Sequence, residues 1–74
     1  MFNRITFDSQ VMGGKACIRG MRLTVSLVVN LVANGMTFEE IRKEYPDLET
    51  EDIKESLRYV ASLAAEEIHP LKVA

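Results

Sequence analysis

Four basic side chains early in the chain are the residues whose chemistry suits an acidic group. Arg4, Lys15, Arg19 and Arg22 stand against the single acid Asp8 in the first 36 residues, a net charge of +3. An arginine can hold a carboxylate or phosphate through two parallel hydrogen bonds. This clustering predicts a basic corner that binds a partner or DNA. The alternative is that these side chains are solvated or pair with acids elsewhere in the chain.

The rest of the chain has the opposite charge. Residues 37–74 hold five bases and ten acids, a net charge of −5, and the whole chain carries −2. Such an asymmetry suits electrostatically steered pairing, while the alternative is two solvated faces with no partner. The total charge gives no general signal for nucleic acid.

Few residues have the types or spacing needed for catalysis. His69 is the sole histidine and stands beside Pro70, and Cys17 is the sole cysteine, with no evident histidine partner. Nucleophilic catalysis and metal binding both need sets of such residues, and the glycines match no nucleotide-binding loop. We therefore expect no enzyme activity, no catalytic residues, no metal and no cofactor.

Composition and apolar runs indicate a soluble cytoplasmic protein. The chain is 47% apolar and 27% charged, as in ordinary globular domains. A lone cysteine suits a reducing compartment, and the first ten residues have no signal-peptide pattern. The longest apolar run, 27–33, is interrupted by Asn30 and is too short to span a bilayer, so no membrane association is expected.

The length of 74 residues allows one domain, 1–74. It divides into a β-element with the basic turn (1–24), a helical bundle (25–69) and a tail (70–74). A core this small is marginal, so a partner or a second copy would help to stabilise it.

The first predicted helix, 25–34, is the most apolar part of the chain. Thr24 is a suitable N-cap, and Gly35 supplies the left-handed residue that ends the helix. Only Ser26 and Asn30 interrupt the apolar residues, so the helix must be buried on nearly all sides. Other elements of this chain, or of a second subunit, must cover it.

Two more helices follow. Thr37 and Glu40 have the spacing of a capping box, and Pro46 ends that second helix. For the third helix, Thr50 is the better candidate cap and Glu49 the weaker one, and the sequence does not settle the choice. This helix continues to near residue 70. Its apolar face is wider than one stripe and is predicted to be a dimer or partner seam, with core packing as the alternative; the seam residues are Tyr59, Val60, Leu63 and Ala64.

Short β-branched segments precede the helices. Ile5-Thr6-Phe7 reads as a strand, and two further segments flank a turn at Arg19-Gly20-Met21. The predicted fold is mainly α, a three-helix helix-turn-helix (homeodomain-like) domain with a short N-terminal β-hairpin. The last helix begins with Glu49, Glu51 and Asp52, which would repel a DNA backbone, so operator binding by this helix is not expected.

From about Ile5 to Ala61 the chain resembles a bacterial and archaeal family called domain of unknown function 433. The matching motifs are Gly13-Gly14-Lys15, Ile18-Arg19-Gly20, Arg22 before an apolar residue and Val25, Ala33-Asn34-Gly35, Glu39-Glu40-Ile41, Tyr45-Pro46-Asp47-Leu48, and Glu51-Asp52-Ile53 through Leu57 and Tyr59. The resemblance implies a helix-turn-helix fold and a role as an antitoxin of a type II toxin–antitoxin pair. The family usually has proline where Ala16 and Thr24 stand.

The expected function is therefore to neutralise a PIN-like ribonuclease toxin, with repression of the protein's own operon through operator DNA as a further role. Arg19 or Arg22 would enter the acidic metal site of the toxin, or the acidic helices would mimic nucleic acid against a basic toxin surface. We expect a homodimer. The alternative function is a structural or oligomerisation module with no toxin or nucleic-acid partner.

Overall fold

The computed structural model describes residues 2–67 and confirms a mainly α domain with a small N-terminal sheet. Three helices follow two short antiparallel strands, and a single 3-10 turn lies between the strands at Met12–Gly14. The elements are β1 (Ile5–Thr6), β2 (Cys17–Ile18), α1 (Val25–Ala33), α2 (Phe38–Glu44) and α3 (Thr50–Glu67).

Backbone pairing brings three separate segments together at the N-terminal end of the fold. Ile5 pairs with Ile18 in the β1–β2 sheet, and Cys17 forms an isolated bridge to Thr24. The chain between β2 and α1 thus folds back on itself. This arrangement confirms the predicted β-element and sets it against the start of α1.

The connection after β2 is a type I′ turn. Arg19 and Gly20 both have positive φ, +44° and +76°, and the Met21 N–H donates to the Ile18 carbonyl over 2.7 Å. Glycine adopts this conformation freely, whereas arginine does so rarely. The turn is where it was predicted, and it fixes the direction of the Arg19 backbone.

Local capping explains where α1 begins and ends. The Leu27 N–H donates to the Thr24 hydroxyl over 3.0 Å, which confirms the predicted N-cap. Gly35 has φ +95°, and the Met36 N–H reaches back to the Leu31 carbonyl over 3.1 Å. This bond pattern is that of a Schellman motif, so α1 ends cleanly at the glycine.

The capping box at the start of α2 is also confirmed. The Glu40 N–H donates to the Thr37 hydroxyl over 3.1 Å, and the Thr37 N–H donates to the Glu40 carboxylate over 2.8 Å. The helix ends at Glu44, two residues before Pro46.

The start of α3 settles the choice of cap that the sequence left open. Thr50 is the first helical residue, so Glu49 precedes the helix and Thr50 is not the cap. The Glu49 N–H donates to the Asp52 carboxylate over 2.8 Å. Asp52 therefore plays the part that glutamate plays in a capping box, from the same position in the first turn.

The core draws on every helix and on both strands. Its buried members are Ile5, Ile18, Val25, Val28, Ile41, Leu48 and Ile53. None of the helices within residues 2–67 combines the length and apolar character needed to cross a bilayer.

The packing leaves α1 less covered than its sequence predicts. Only Val25 and Val28 of this helix are buried, while Leu27, Val29 and its other large apolar residues are half-buried. The described part of this chain thus does not bury α1 on nearly all sides. The uncovered part of the helix contributes to the groove described below.

Candidate functional site

The sheet register places two of the four predicted cations side by side. Arg4 directly precedes β1 and Arg19 directly follows β2, and the antiparallel pairing of Ile5 with Ile18 makes them neighbours. The Arg19 N–H donates to the Arg4 carbonyl over 2.7 Å. Both side chains extend towards the start of α3.

The two arginines converge on one buried carboxylate, and we call Arg4, Arg19 and Asp52 the arginine–aspartate cluster. Arg19 binds Asp52 in a bidentate manner, with Nε 3.0 Å from Oδ1 and Nη2 2.8 Å from Oδ2. Arg4 Nη1 donates to Oδ1 over 2.9 Å. The Asp52 side chain has no exposed surface, so these charge-assisted bonds replace its hydration.

Further bonds hold the cluster to the surrounding chain. Arg4 Nη1 also donates to Glu49 over 2.7 Å, and the Arg4 backbone N–H donates to Glu55 over 2.6 Å. Arg19 Nη2 donates to the Asp47 carbonyl over 2.8 Å. Arg4 and Arg19 thus pair with acids of the second half of the chain, and this pairing limits their freedom to reach a partner.

The pKa values in the cluster all shift towards the charged forms. Burial disfavours the Asp52 carboxylate, but hydrogen bonds from Arg19, the Glu49 N–H and Arg4 outweigh it and hold the Asp52 pKa below its ordinary value of 3.8. Hydrogen bonds to Glu49 and Asp52 raise the pKa of Arg4, and the bond to Asp52 raises that of Arg19. None of the three groups exchanges a proton near neutral pH, so the cluster has a structural role rather than an acid–base one.

Lys15 and Arg22 have a different environment from the two clustered arginines. Both are exposed, and neither forms an ion pair within residues 2–67. Arg22 lies at a shallow depression between the type I′ turn and the α2–α3 connection, beside Tyr45, Pro46 and Asp47. The structure therefore divides the four predicted cations into two that are held and two that are accessible.

A second surface feature is an apolar groove between α1 and the second half of α3, which we call the α1–α3 groove. Its main lining residues are Met12, Val25, Val29, Tyr59, Val60 and Leu63, and Lys15 is its one charged lining residue. Three of the four predicted seam residues line it. The fourth, Ala64, is exposed on the same helix directly after Leu63.

The large apolar side chains that the described residues expose all gather at this groove. Met12, Val60 and Leu63 line it and are 39%, 37% and 48% exposed. Phe7 is 59% exposed and its ring lies 6.2 Å from that of Tyr59. Scattered surface hydrophobics are ordinary, but a contiguous patch typically marks a binding surface.

Comparison with known proteins identifies the family. The family model described as "Protein of unknown function (DUF433)" matches residues 5–60. The chain belongs to the DUF433 family. A crystal structure of a DUF433 member from Anabaena variabilis ATCC 29413 is 30% identical, with a TM-score of 0.77. The alignment covers 86% of this chain and 63% of that one, and no curated protein matches.

Two motifs of the DUF433 chain meet in the arginine–aspartate cluster. Ile18-Arg19-Gly20 supplies one arginine, and Glu51-Asp52-Ile53 supplies the buried carboxylate. The sequence counted Asp52 among the acids at the start of α3 that would repel a DNA backbone, whereas the structure buries its carboxylate. The Glu49-to-Asp52 spacing is consistent with the bond from the Glu49 N–H, but it does not signal burial, because Glu40 has the same position in α2 and is exposed.

Sequence reasoning also missed Met12 in the DUF433 chain. Its φ of +51° is left-handed, which is uncommon for a residue with a side chain. No residue pattern in the sequence distinguishes Met12 from other loop residues.

No three potential metal ligands among the described residues of the DUF433 chain come together to hold an ion. His69 lies outside the described residues.

Proposed function

We propose that this DUF433 protein is an antitoxin-like binding protein that neutralises a PIN-like ribonuclease toxin in the cytoplasm. The observation that carries the proposal is Arg22, an exposed arginine on a fixed corner with no acidic partner in the described chain. Its family-level support is the resemblance to antitoxins encoded beside such toxins.

The chemistry of Arg22 fits the acidic site that a PIN-like nuclease builds around its metal. A guanidinium can bind a carboxylate through two parallel bonds, and a side chain on a rigid corner loses less freedom on binding. Arg19 is the less suitable candidate, because moving it would leave the buried Asp52 without its bidentate partner. The structure thus favours Arg22 between the two arginines that the sequence proposed.

Neighbouring interactions support the rigidity of this corner. The Gly20 N–H donates to the Thr6 hydroxyl over 2.8 Å, and the Ile18 N–H donates to the Leu23 carbonyl over 2.9 Å. Arg22 stands between these anchored points. Its backbone is therefore positioned before any partner arrives.

Repression of the operon is the weaker part of the proposal. At the start of α3, Glu51 is exposed beside Lys54 and Arg58, with Glu51 oxygens 3.9 Å and 3.4 Å from their charged nitrogens. Glu49 is exposed and paired with Arg4, so this end of the helix offers the phosphates ion pairs rather than free basic groups. An operator contact would have to use Lys15 and Arg22 instead.

Co-expression with the product of the neighbouring gene, which the proposal expects to be a PIN-like ribonuclease, tests the proposal. We expect the two proteins to co-purify and the growth of cells that express the toxin to be restored by this chain. We expect Arg22→Glu to weaken binding between the two proteins by about a hundredfold or more. Arg42→Glu is the matched control, since Arg42 is also an exposed arginine but lies on α2.

Two results would contradict the antitoxin role as stated. Failure of the wild-type protein to bind or protect excludes it, and binding that survives Arg22→Glu moves the contact away from the basic corner. A gel shift with the DNA upstream of the operon tests repression separately, and a shift that persists in an Arg22→Glu and Lys15→Glu double variant would argue against the basic corner as the DNA contact.

A further inference from the structure

Most residues that line the α1–α3 groove come from the two longest uncharged stretches of the chain. No charged residue occurs in residues 25–38, which include α1, or in residues 59–65 of α3. Charged residues make up 27% of the whole chain. Interfaces between copies of one protein are more apolar than other interfaces and poor in charge at their centre.

The same face carries both the groove and the side chains that project beside it. Leu63 lines the groove and is nearly half exposed, and Phe7 projects next to Tyr59. An interface with two-fold symmetry uses one patch twice, so that patch must present both the projecting and the receiving groups. The α1–α3 groove meets this requirement.

Two charged residues beside the α1–α3 groove, Asp8 and Lys15, could pair with each other across a two-fold axis. Asp8 and Lys15 lie at the two ends of one loop, both are exposed, and neither is in an ion pair within the described chain. The loop is closed: a Cβ on Gly14 would be 3.7 Å from the Cα of Ser9. Lys15 lines the groove, and Asp8 directly follows Phe7, whose ring lies beside Tyr59, so a two-fold axis can set each charge against its opposite in the second copy.

Met12 contributes an independent observation at the same place. Its left-handed backbone is uncommon for a side-chain-bearing residue, and this conformation presents a flexible thioether to the groove. Strained residues concentrate at binding surfaces, and methionine adapts readily to the shape of a partner.

We infer that a second copy of this chain occupies the α1–α3 groove, with the two α3 helices crossing at Val60 and Leu63. Lys15 of each copy faces Asp8 of the other at the rim. This contact covers the exposed part of α1 and enlarges a core that is small for an independent domain. The inference does not depend on the toxin or on the basic corner at Arg22.

Sedimentation of the full chain over a wide concentration range tests the assembly. We expect the wild type to have twice the monomer mass of 8.3 kDa, and Leu63→Glu to raise the dimer dissociation constant by about a hundredfold or more. Leu63 is 48% exposed in the monomer, so the Leu63→Glu variant should keep the far-ultraviolet circular dichroism of the wild type. Arg42→Glu, a charge change on α2, should dimerise like the wild type.

A charge-exchange experiment tests the identity of the occupant. Asp8→Lys sets two bases together at each rim, and Lys15→Glu sets two acids together, so each variant alone should dimerise more weakly. Mixing the two variants restores both opposite-charge pairs, and a heterodimer of near wild-type affinity should form. Only a second copy in the proposed orientation predicts this rescue.

Three outcomes overturn the inference. These are a wild-type monomer at all concentrations, a dimer that Leu63→Glu does not weaken, and charge variants whose mixture shows no rescue. If the chain alone is monomeric and Leu63→Glu instead abolishes toxin binding, the groove is the toxin's site and the inference is wrong.

Discussion

Asp52 is a buried carboxylate held by arginines from two distant parts of the chain and by the N–H of the nearby Glu49. A buried charge is costly unless it is paired and its remaining lone pairs are satisfied. Two arginines and the Glu49 N–H supply these bonds, and no buried side-chain nitrogen or oxygen in the described residues lacks a hydrogen-bond partner. The burial of Asp52 therefore depends on the β-element remaining in place.

Replacing Asp52 with asparagine should lower the free energy of unfolding by about 2–3 kcal/mol. The amide removes the negative charge that both arginines contact, and its NH2 group would face donors of Arg19 and Glu49. Asp47→Asn is the control, because Asp47 is exposed and binds Arg19 only through its backbone carbonyl. Chemical denaturation of the two variants measures the difference, and equal stabilities would show that the cluster contributes little.

The same residue predicts a dependence on pH. The Asp52 pKa is lower in the folded protein than its ordinary value of 3.8, so the unfolded chain takes up the proton first as the pH falls. The ionised Asp52 stabilises the fold fully at pH values well above 3.8. This stabilisation is lost as the pH falls below about 4 and then through the pKa of Asp52 in the folded protein. The difference in unfolding free energy between wild type and Asp52→Asn should therefore be largest at neutral pH. It should become smaller as the pH falls to about 3. A difference that stays constant over this range would contradict the assignment.

At the scale of elements, local sequence signals predicted the first two helices well. The caps at Thr24 and Thr37 were expected from residue type and spacing alone, and the structure confirms both. Thr50 is the same residue type near another helix start, yet it lies inside α3. The cap position there was set by Asp52, whose bonds to Arg4 and Arg19 no local pattern contains.

This contrast predicts different effects of one substitution at two threonines. Thr37→Ala removes the hydroxyl that accepts from Glu40 and should cost about 1 kcal/mol of unfolding free energy. Thr50→Ala should change stability by less than about 0.5 kcal/mol, because Thr50 caps nothing and alanine is a better helix former. Thermal unfolding of the two variants compares them directly. A larger loss for Thr50→Ala would mean that α3 begins differently from the structure.

The β-element shows where sequence reasoning stops. The turn at Arg19-Gly20 was predictable because glycine permits positive φ, and the structure confirms it. The binding partner of the Arg19 side chain was not predictable, because that partner is Asp52, 33 positions further along the chain. The basic corner was correctly located along the chain, but only the fold distinguishes its held arginines from the accessible ones.

For the whole molecule, the opposite charges of the two halves acquire a structural meaning. Part of the asymmetry lies within the fold, where Arg4 and Arg19 meet the acids at the start of α3. The predicted separation of charge between two faces of the molecule is reduced accordingly. The predicted three-helix plan and the seam residues follow from helical periodicity, whereas the groove itself requires the packing of α1 against α3.

The N-terminal segment contacts α3 at two places, and this arrangement predicts how the molecule unfolds. The arginine–aspartate cluster joins the N-terminal segment to the start of α3. Further along the helix, Tyr59 packs edge-on against Phe2, with ring centroids 5.4 Å apart. Tyr59 therefore reports the attachment of the N-terminal segment, whereas far-ultraviolet circular dichroism reports the helices. With both contacts intact, the two signals should change together as urea is added.

In Asp52→Asn, the near-ultraviolet signal of Tyr59 should be lost at a lower urea concentration than the helical signal. The reason is that the variant loses the charged contacts of Arg4 and Arg19 with Asp52, so the apolar contacts, the short sheet and the Arg4 bonds to Glu49 and Glu55 must hold the N-terminal segment. The measurement uses a Tyr45→Phe background, which leaves Tyr59 as the one tyrosine, at a fixed protein concentration. Asp47→Asn in the same background should keep the two transitions coincident. Coincident transitions in Asp52→Asn would show that the contacts other than those of Asp52 are enough to couple the segment to the helices.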